Sequence, residues 1–318
     1  MLRVGVQSGP WFSIEDPEGT IRFIKECGFE TIDFNIDTNL PGSKIGSGEL
    51  TAFFDQSEEE LYEYYRPMKE ALAKYDVTVA QMHAPFPLWV KEKPDDPEFD
   101  AERINDYLIM AAGKCFAVAA YLGCPAVVCH SITRSLKDQE IETNLAMYRR
   151  MIPAAKKYGV KVCLENLFGS FKGRHIEGAC SSVDEACWYL DTLNAEAGEE
   201  VFGFCLDVGH ANLMGRNLYQ YITKLGSRLT VLHIHDNDGK SDLHMMPYTY
   251  THNWGKDLVC DWEGFLNGLH DIGFEGDLCF ETFRVLGAFP RDLWPEALEL
   301  ISATGKYFVK RIRATEEA

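Results

Sequence analysis

Eight short apolar runs recur along this chain, at residues 3–7, 31–35, 77–83, 126–130, 160–165, 202–207, 229–235 and 277–281. Between them lie amphipathic stretches with helical spacing, at 57–75, 101–122, 137–158, 183–193 and 262–272. Several begin near Ser, Asp or Pro and close on Gly, as helices do. Sharing 318 residues among eight such units allows about forty residues each, the length of a strand, a helix and two loops. Repeated βα units predict a parallel sheet, and eight of them predict an α/β fold closed as a (β/α)8 barrel. Residues 40–55 and 91–100 read as insertions over one face of it.

A doubly wound sheet would need a glycine-rich phosphate turn after the first strand. Gln7-Ser8-Gly9-Pro10-Trp11 offers none, and no P-loop, nucleophile elbow or kinase motif occurs elsewhere. There is no linker, low-complexity block or shift in composition, so residues 1–318 read as a single domain. The apolar share, 46%, suffices for a large core. Lys and Arg number 31 against 49 Asp and Glu, a net charge of −18, which disfavours nucleic acid as partner. The first residues lack the apolar segment of a signal peptide, and no run of about eighteen apolar residues could cross a bilayer. The expectation is a cytoplasmic enzyme with no membrane partner. Ten cysteines without a CxxC pair read as reduced thiols rather than a disulfide, zinc or iron–sulfur framework. Cys163, Cys205 and Cys279 each stand two residues before an acidic strand end. Strand alternation places them on the same face, as small fillers beneath a polar site.

Barrel enzymes carry their chemistry at the C-terminal ends of the strands. Here polar residues end six successive runs: His83, His130, Glu165, Asp207, His233 and Glu281. One such residue is ordinarily structural; six in order are a site. Burying Glu165, Asp207 and Glu281 together would cost several kcal/mol unless a cation compensates. With His233 they form a hard, oxygen-rich set for one divalent metal ion, Mn²⁺ in preference to Mg²⁺, Co²⁺ or Zn²⁺. A second polar group comprises His210 in Asp207-Val-Gly-His210, with Asp242 and His244 in the loop after the seventh run. These would hold substrate hydroxyls or further metal, whereas His235 and Asp238 read as solvent-facing loop polarity.

Glu165-Asn166, the DxGHxN stretch Asp207–Asn212, the HxHD stretch His233–Asp236 with its following DLH, and Glu281-Thr-Phe resemble the xylose isomerase-like TIM-barrel superfamily of sugar phosphate isomerases and epimerases. The resemblance implies metal ligation by Glu165, Asp207, His233 and Glu281. Its ketose 3-epimerases imply that Glu165 and Glu281 remove and return a proton next to a carbonyl, through a metal-stabilised enediolate, with His210 orienting an oxygen. His83, His130, His210, Asp242 and His244 would then bind the sugar. Aromatic rings of Trp11, Phe86, Trp89, Phe168 and Trp254 would stack on it. No phosphate nest accompanies Lys172, Arg174, Lys240 or Arg284, which favours an unphosphorylated ketose.

On the same site, dehydration or C-glycoside cleavage is the alternative. A three-zinc apurinic endonuclease of the endonuclease IV type is the further one. Its nine ligand positions match His83, His130, Glu165, Asp207, His210, His233, Asp242, His244 and Glu281, but its cysteine between Asp and His is Gly209 here. Relatives are often oligomeric, so a homo-oligomer is compatible with the reading.

Overall fold

A computed structural model describes residues 2–134, 136–253 and 255–314. Eight parallel strands build one sheet: β1 (Val4–Gln7), β2 (Thr31–Asn35), β3 (Thr78–His83), β4 (Ala126–Val128), β5 (Lys161–Glu165), β6 (Phe202–Asp207), β7 (Leu229–His233) and β8 (Leu278–Phe280). Neighbours pair in chain order, and β1 also pairs with β8. A single parallel bridge between Ile234 and Phe280 joins the two remaining edges, with Ile234 N donating to Cys279 O (2.9 Å) and Glu281 N to Ile234 O (3.1 Å). The sheet is therefore a nearly closed barrel, as the eight-unit repeat predicts.

Around it run α1 (Pro17–Glu26), α2 (Glu58–Tyr75), α3 (Ala101–Leu122), α4 (Lys137–Tyr158), α5 (Val183–Ala197), α6 (Leu218–Leu225), α7 (Trp262–Asp271) and α8 (Trp294–Arg313). Their boundaries follow local chemistry. Ser57 and Glu60 form a reciprocal capping box at the start of α2, and Asp100 caps α3 through Arg103 N. Gly123 and Gly159 close α3 and α4 in the left-handed conformation, which costs glycine nothing. The main core lies between strands and helices. In one part of it Trp262 packs against Phe265 and Phe308 at 5.8 and 5.6 Å, and truncating such a ring costs about 3–5 kcal/mol. Inside the barrel, Cys163 and Cys205 fill space with Ala126, Val128 and Val231, as small apolar groups should beneath a polar mouth.

Two antiparallel hairpins, Phe168–Phe171 with Arg174–Glu177 and Thr251–His252 with Asp257–Leu258, were not anticipated from the sequence. Lys172 and Gly173 both have positive φ (49° and 73°), the backbone of a tight two-residue turn, so Lys-Gly between Phe168–Phe171 and Arg174–Glu177 was the available signal. The insertion at 40–55 holds a short helix, Gly42–Ser47, and a 3-10 turn, Ala52–Asp55.

Candidate active site

Asp207 is the last residue of β6 and also the N-cap of the next helical turn, Val208–Leu213, through Oδ1 accepting from His210 N at 2.7 Å. Asn166, just past β5, ties the two strand ends together: Asp207 N donates to its Oδ1 and its Nδ2 donates to Asp207 O, both at 2.8 Å. These bonds fix Asp207 beside Glu165 at the ends of β6 and β5. Glu165 Oε2 lies 3.4 Å from His233 Nδ1, Glu281 Oε2 3.6 Å and Asp207 Oδ2 4.0 Å. The residues predicted to share a cation thus converge on one imidazole nitrogen.

Burial opposes ionisation of Glu165, but the imidazoles of His130 and His233 outweigh it and hold its carboxyl well below the ordinary range. For Asp207, burial is likewise outweighed, by His210 and His235. Burial alone would push His233 down; the Glu281 and Glu165 carboxylates, with Asp33 beside its other nitrogen, raise it well above the usual imidazole value. Within this buried set, Glu165 Oε2 and His233 Nδ1 have no hydrogen-bond partner among the described residues. Buried polar atoms are rarely left so, and an oxygen-rich donor set with two orphaned atoms fits a divalent cation. Cys205 also approaches Glu165 and His233, but burial holds its thiol well above the usual value, which leaves it a neutral filler.

His83 and His130 face each other, Nε2 to Nε2, at 3.0 Å, and His130 Nε2 is 3.0 Å from Glu165 Oε2. Burial, with His130 and His233 nearby, drives the His83 pKa down to about 3. A neutral His83 whose Nδ1 sits 2.9 Å from Ala84 O carries its proton there and turns a bare Nε2 lone pair toward His130. On the other side, Asp242 lies 2.9 Å from His244 Nε2 and 3.6 Å from His210 Nε2. Burial works against its charge, yet these two histidines hold it well below the usual range.

His235 is not loop polarity. It is fully buried, its Nε2 lies 3.0 Å from Asp207 Oδ1, and its ring stacks on His244 at 4.1 Å. Gly209 makes the room: a Cβ on it would come within 1.9 Å of the His235 ring.

These groups open onto a cavity of about 410 Å³ lined by Glu165, Glu281, His83, His130, His210, Asp242 and His244, and by no Lys or Arg among the described residues. Several of its determinants escaped the sequence reading. Gln7 Nε2 donates to Glu281 Oε1 at 2.6 Å, and buried Asp33, itself held by Gln81 at 3.0 Å, meets His233 from below. Asp37 also lines the cavity, and burial, with Asp33 and Glu281 nearby, lifts its carboxyl to about 6 against the pull of His130. Strand alternation could have pointed to Gln7 and Asp33 had the inward face been known.

Among the aromatic residues, Phe86 lines the cavity and Phe168 packs edge-on to His210 at 5.0 Å. Trp11 does not reach it. The turn from Gly9 to Phe12 folds its ring into the core, edge-on to Phe12 and with the indole N–H on Gln7 O at 2.9 Å, so the expectation of a sugar platform there is corrected. Trp254 lies outside the described residues.

No described helix is long and apolar enough to cross a membrane. Over 245 residues the chain is 24% identical to the uncharacterized protein MJ1311 of Methanocaldococcus jannaschii, covering 74% of this chain and 75% of that one. It superposes on the crystal structure of a D-tagatose 3-epimerase-like protein with a TM-score of 0.67 at 18% identity, over 98% of both chains. The IolI protein, solved with a zinc atom, matches at a TM-score of 0.59 and 16% identity, again over 98% of both. Likeness at such identities establishes the shared fold. The model of one family, described as a xylose isomerase-like TIM barrel, matches residues 21–304, and the chain belongs to that family.

Proposed function

We propose that this chain is a divalent-metal-dependent sugar isomerase or epimerase acting on a free ketose or related sugar. The observation that carries the reading is the approach of Glu165, Asp207 and Glu281 to His233 Nδ1 beneath a polar cavity without Lys or Arg. A cation bound by these four, manganese by its preference for oxygen-rich sets, would acidify the C–H beside a ketose carbonyl by stabilising the developing negative charge. Glu165 and Glu281 approach the same nitrogen from separate strands, and each would take or return a proton at Oε1, the oxygen turned away from that nitrogen, which in Glu281 also accepts from Gln7. Gln7 orients Glu281, and His130 and His210 flank Glu165 at 3.0 and 3.2 Å. His83, His130, His210, Asp242 and His244 offer hydrogen bonds to the sugar hydroxyls. The epimerase-like neighbour and the zinc in IolI are consistent with this chemistry. The chain is read as one domain working in the cytoplasm. Dehydration or C-glycoside cleavage would use the same residues and is distinguished by product analysis.

The test is solvent deuterium. A panel of ketoses incubated with the Mn²⁺-loaded chain in D₂O should acquire deuterium at the carbon next to the carbonyl. Undiminished turnover after complete metal removal would end the proposal.

A second reading has its own observation. His83, His130 and Glu165 could hold an ion, and so could His235, Asp242 and His244, which keeps the three-zinc nuclease in view. The net charge of −18, the absence of Lys and Arg from the cavity lining and the ring of His235 over Gly209 weigh against it. Metal analysis separates the two: one ion per chain for sugar chemistry, three zinc ions for phosphodiester hydrolysis.

A further inference from the structure

Beside the cavity described above lies a second one of about 400 Å³, walled by the segments that follow β3 and β4 and closed on one side by Gly46 of the first insertion. Phe86 and His130 line both cavities, so the two share a wall at those side chains. Phe86 is 41% exposed and lies 4.7 Å from the His130 imidazole. The far cavity differs in chemistry from the near one. Trp89 and Phe99 supply aromatic walls, Lys91, Lys93 and Arg134 supply positive charge, and no acidic residue lines it. In a chain of net charge −18, that is a local reversal of sign. Lys93 lies 4.0 Å over the Phe99 ring and donates to Gly46 O at 2.6 Å, while the Arg134 guanidinium reaches Thr133 O at 3.5 Å and its backbone N donates to the buried Glu140 carboxylate at 2.8 Å.

We infer that this second cavity is a substrate subsite, and that the sugar carries a flat, anionic substituent. The inference rests on the sugar-active reading of the metal-side cavity. With the sugar over Glu165 and Glu281, a substituent leaving it past Phe86 and His130 enters the aromatic walls. A planar ring stacks there, and a carboxylate on its far side meets the Arg134 fork, whose paired N–H groups match it. A free monosaccharide would leave this space unfilled.

The test is titration calorimetry on the Mn²⁺-loaded chain with methyl, phenyl and 4-carboxyphenyl β-D-glucosides and with D-fructose 6-phosphate. Affinity should rise about tenfold from methyl to phenyl and about tenfold again to carboxyphenyl, steps of the size expected for one stacking contact and one charge-assisted pair. Arg134→Ala should bring the carboxyphenyl glucoside back to the phenyl level, and Trp89→Ala should weaken both aryl ligands while sparing the methyl one. Equal affinity for the three glucosides, a carboxylate preference that survives Arg134→Ala, or tighter binding of the sugar phosphate than of the carboxyphenyl glucoside would each overturn the inference. The deuterium assay keeps the two claims apart. Aryl preference without exchange in any ketose defeats the epimerase reading and leaves the subsite; exchange without aryl preference does the reverse.

Discussion

Asp33 Oδ2 lies 3.3 Å from Nε2 of His233, deep in the barrel and on the side away from Glu165, Asp207 and Glu281. That contact gives the two ring nitrogens different work once a cation is bound: Nε2 would keep its proton toward Asp33, and Nδ1 would turn its lone pair to the ion among the three carboxylates. Gln81, donating to Asp33 at 3.0 Å and to Leu232 O at 3.2 Å, keeps the carboxylate in place. Asp33→Asn should therefore lower metal affinity by about 10–100-fold, read by chelator competition, with an unchanged far-UV spectrum. Unaltered affinity would show that His233 needs no such partner.

Replacing either carboxylate proposed to handle the proton, at saturating Mn²⁺, separates chemistry from folding and from metal loss. Glu165→Gln and Glu281→Gln should each cut deuterium exchange by about 10²–10⁴-fold, the usual worth of general acid–base catalysis, because an amide of the same shape cannot carry the proton. Both variants should unfold cooperatively. Exchange near the wild-type rate in either one would remove that residue from the mechanism.

Metal uptake should be strongly pH-dependent. Against their own burial, His233 is raised well above the usual imidazole pKa by Glu281, Glu165 and Asp33, and His210 by Asp207, Asp242 and Glu165. A ligating His233 must shed its proton, so affinity should climb through neutral pH by up to about tenfold per unit, levelling off above the metal-free pKa. Calorimetry in buffers of different ionisation enthalpy should register the released proton. A pH-independent affinity between pH 6 and 8 contradicts this.

Asp37 supplies a stability test of opposite sense to the usual carboxylate. Burial lifts it from 3.8 to about 6, so the folded chain binds a proton that the unfolded chain has already released. Below the unfolded value both states are protonated and nothing is lost. As pH rises to about 6 the native state loses up to about 3 kcal/mol, less whatever the water of the cavity screens. In metal-free protein, Asp37→Asn should match the wild type near pH 3.5 and exceed it at pH 7 by denaturant midpoint. Equal midpoints at both pH values would contradict the assignment.

The strands and the carboxylates at their ends were legible because each ends an apolar run, and hydrophobic periodicity survives any tertiary arrangement. Asp207, His233 and Glu281 could be placed from sequence for that reason. Asp33, Gln7 and Gln81 lie within strands, where function depends on which alternate side chains face the lumen, and a lone pattern of twos does not say. His235 misled for a related cause. Read as the start of a polar loop, it belongs to a stretch still tied to β8 by the Ile234–Phe280 bridge, which turns its ring inward onto Asp207. Trp11 misled because a tight turn, rather than a strand end, decides where its ring goes.

The missing side chain at position 209 and the ring of His235 occupy one volume between them. Neither can change alone without collision or a void, so the pair behaves as a single inherited character. Any descendant that acquires even a methyl at 209 must also surrender the imidazole that leans on Asp207, and with it the present charge balance around that carboxylate. Scanning related chains for which of the two alternatives they keep would sort them by the wiring of their barrel mouth before any assay is run.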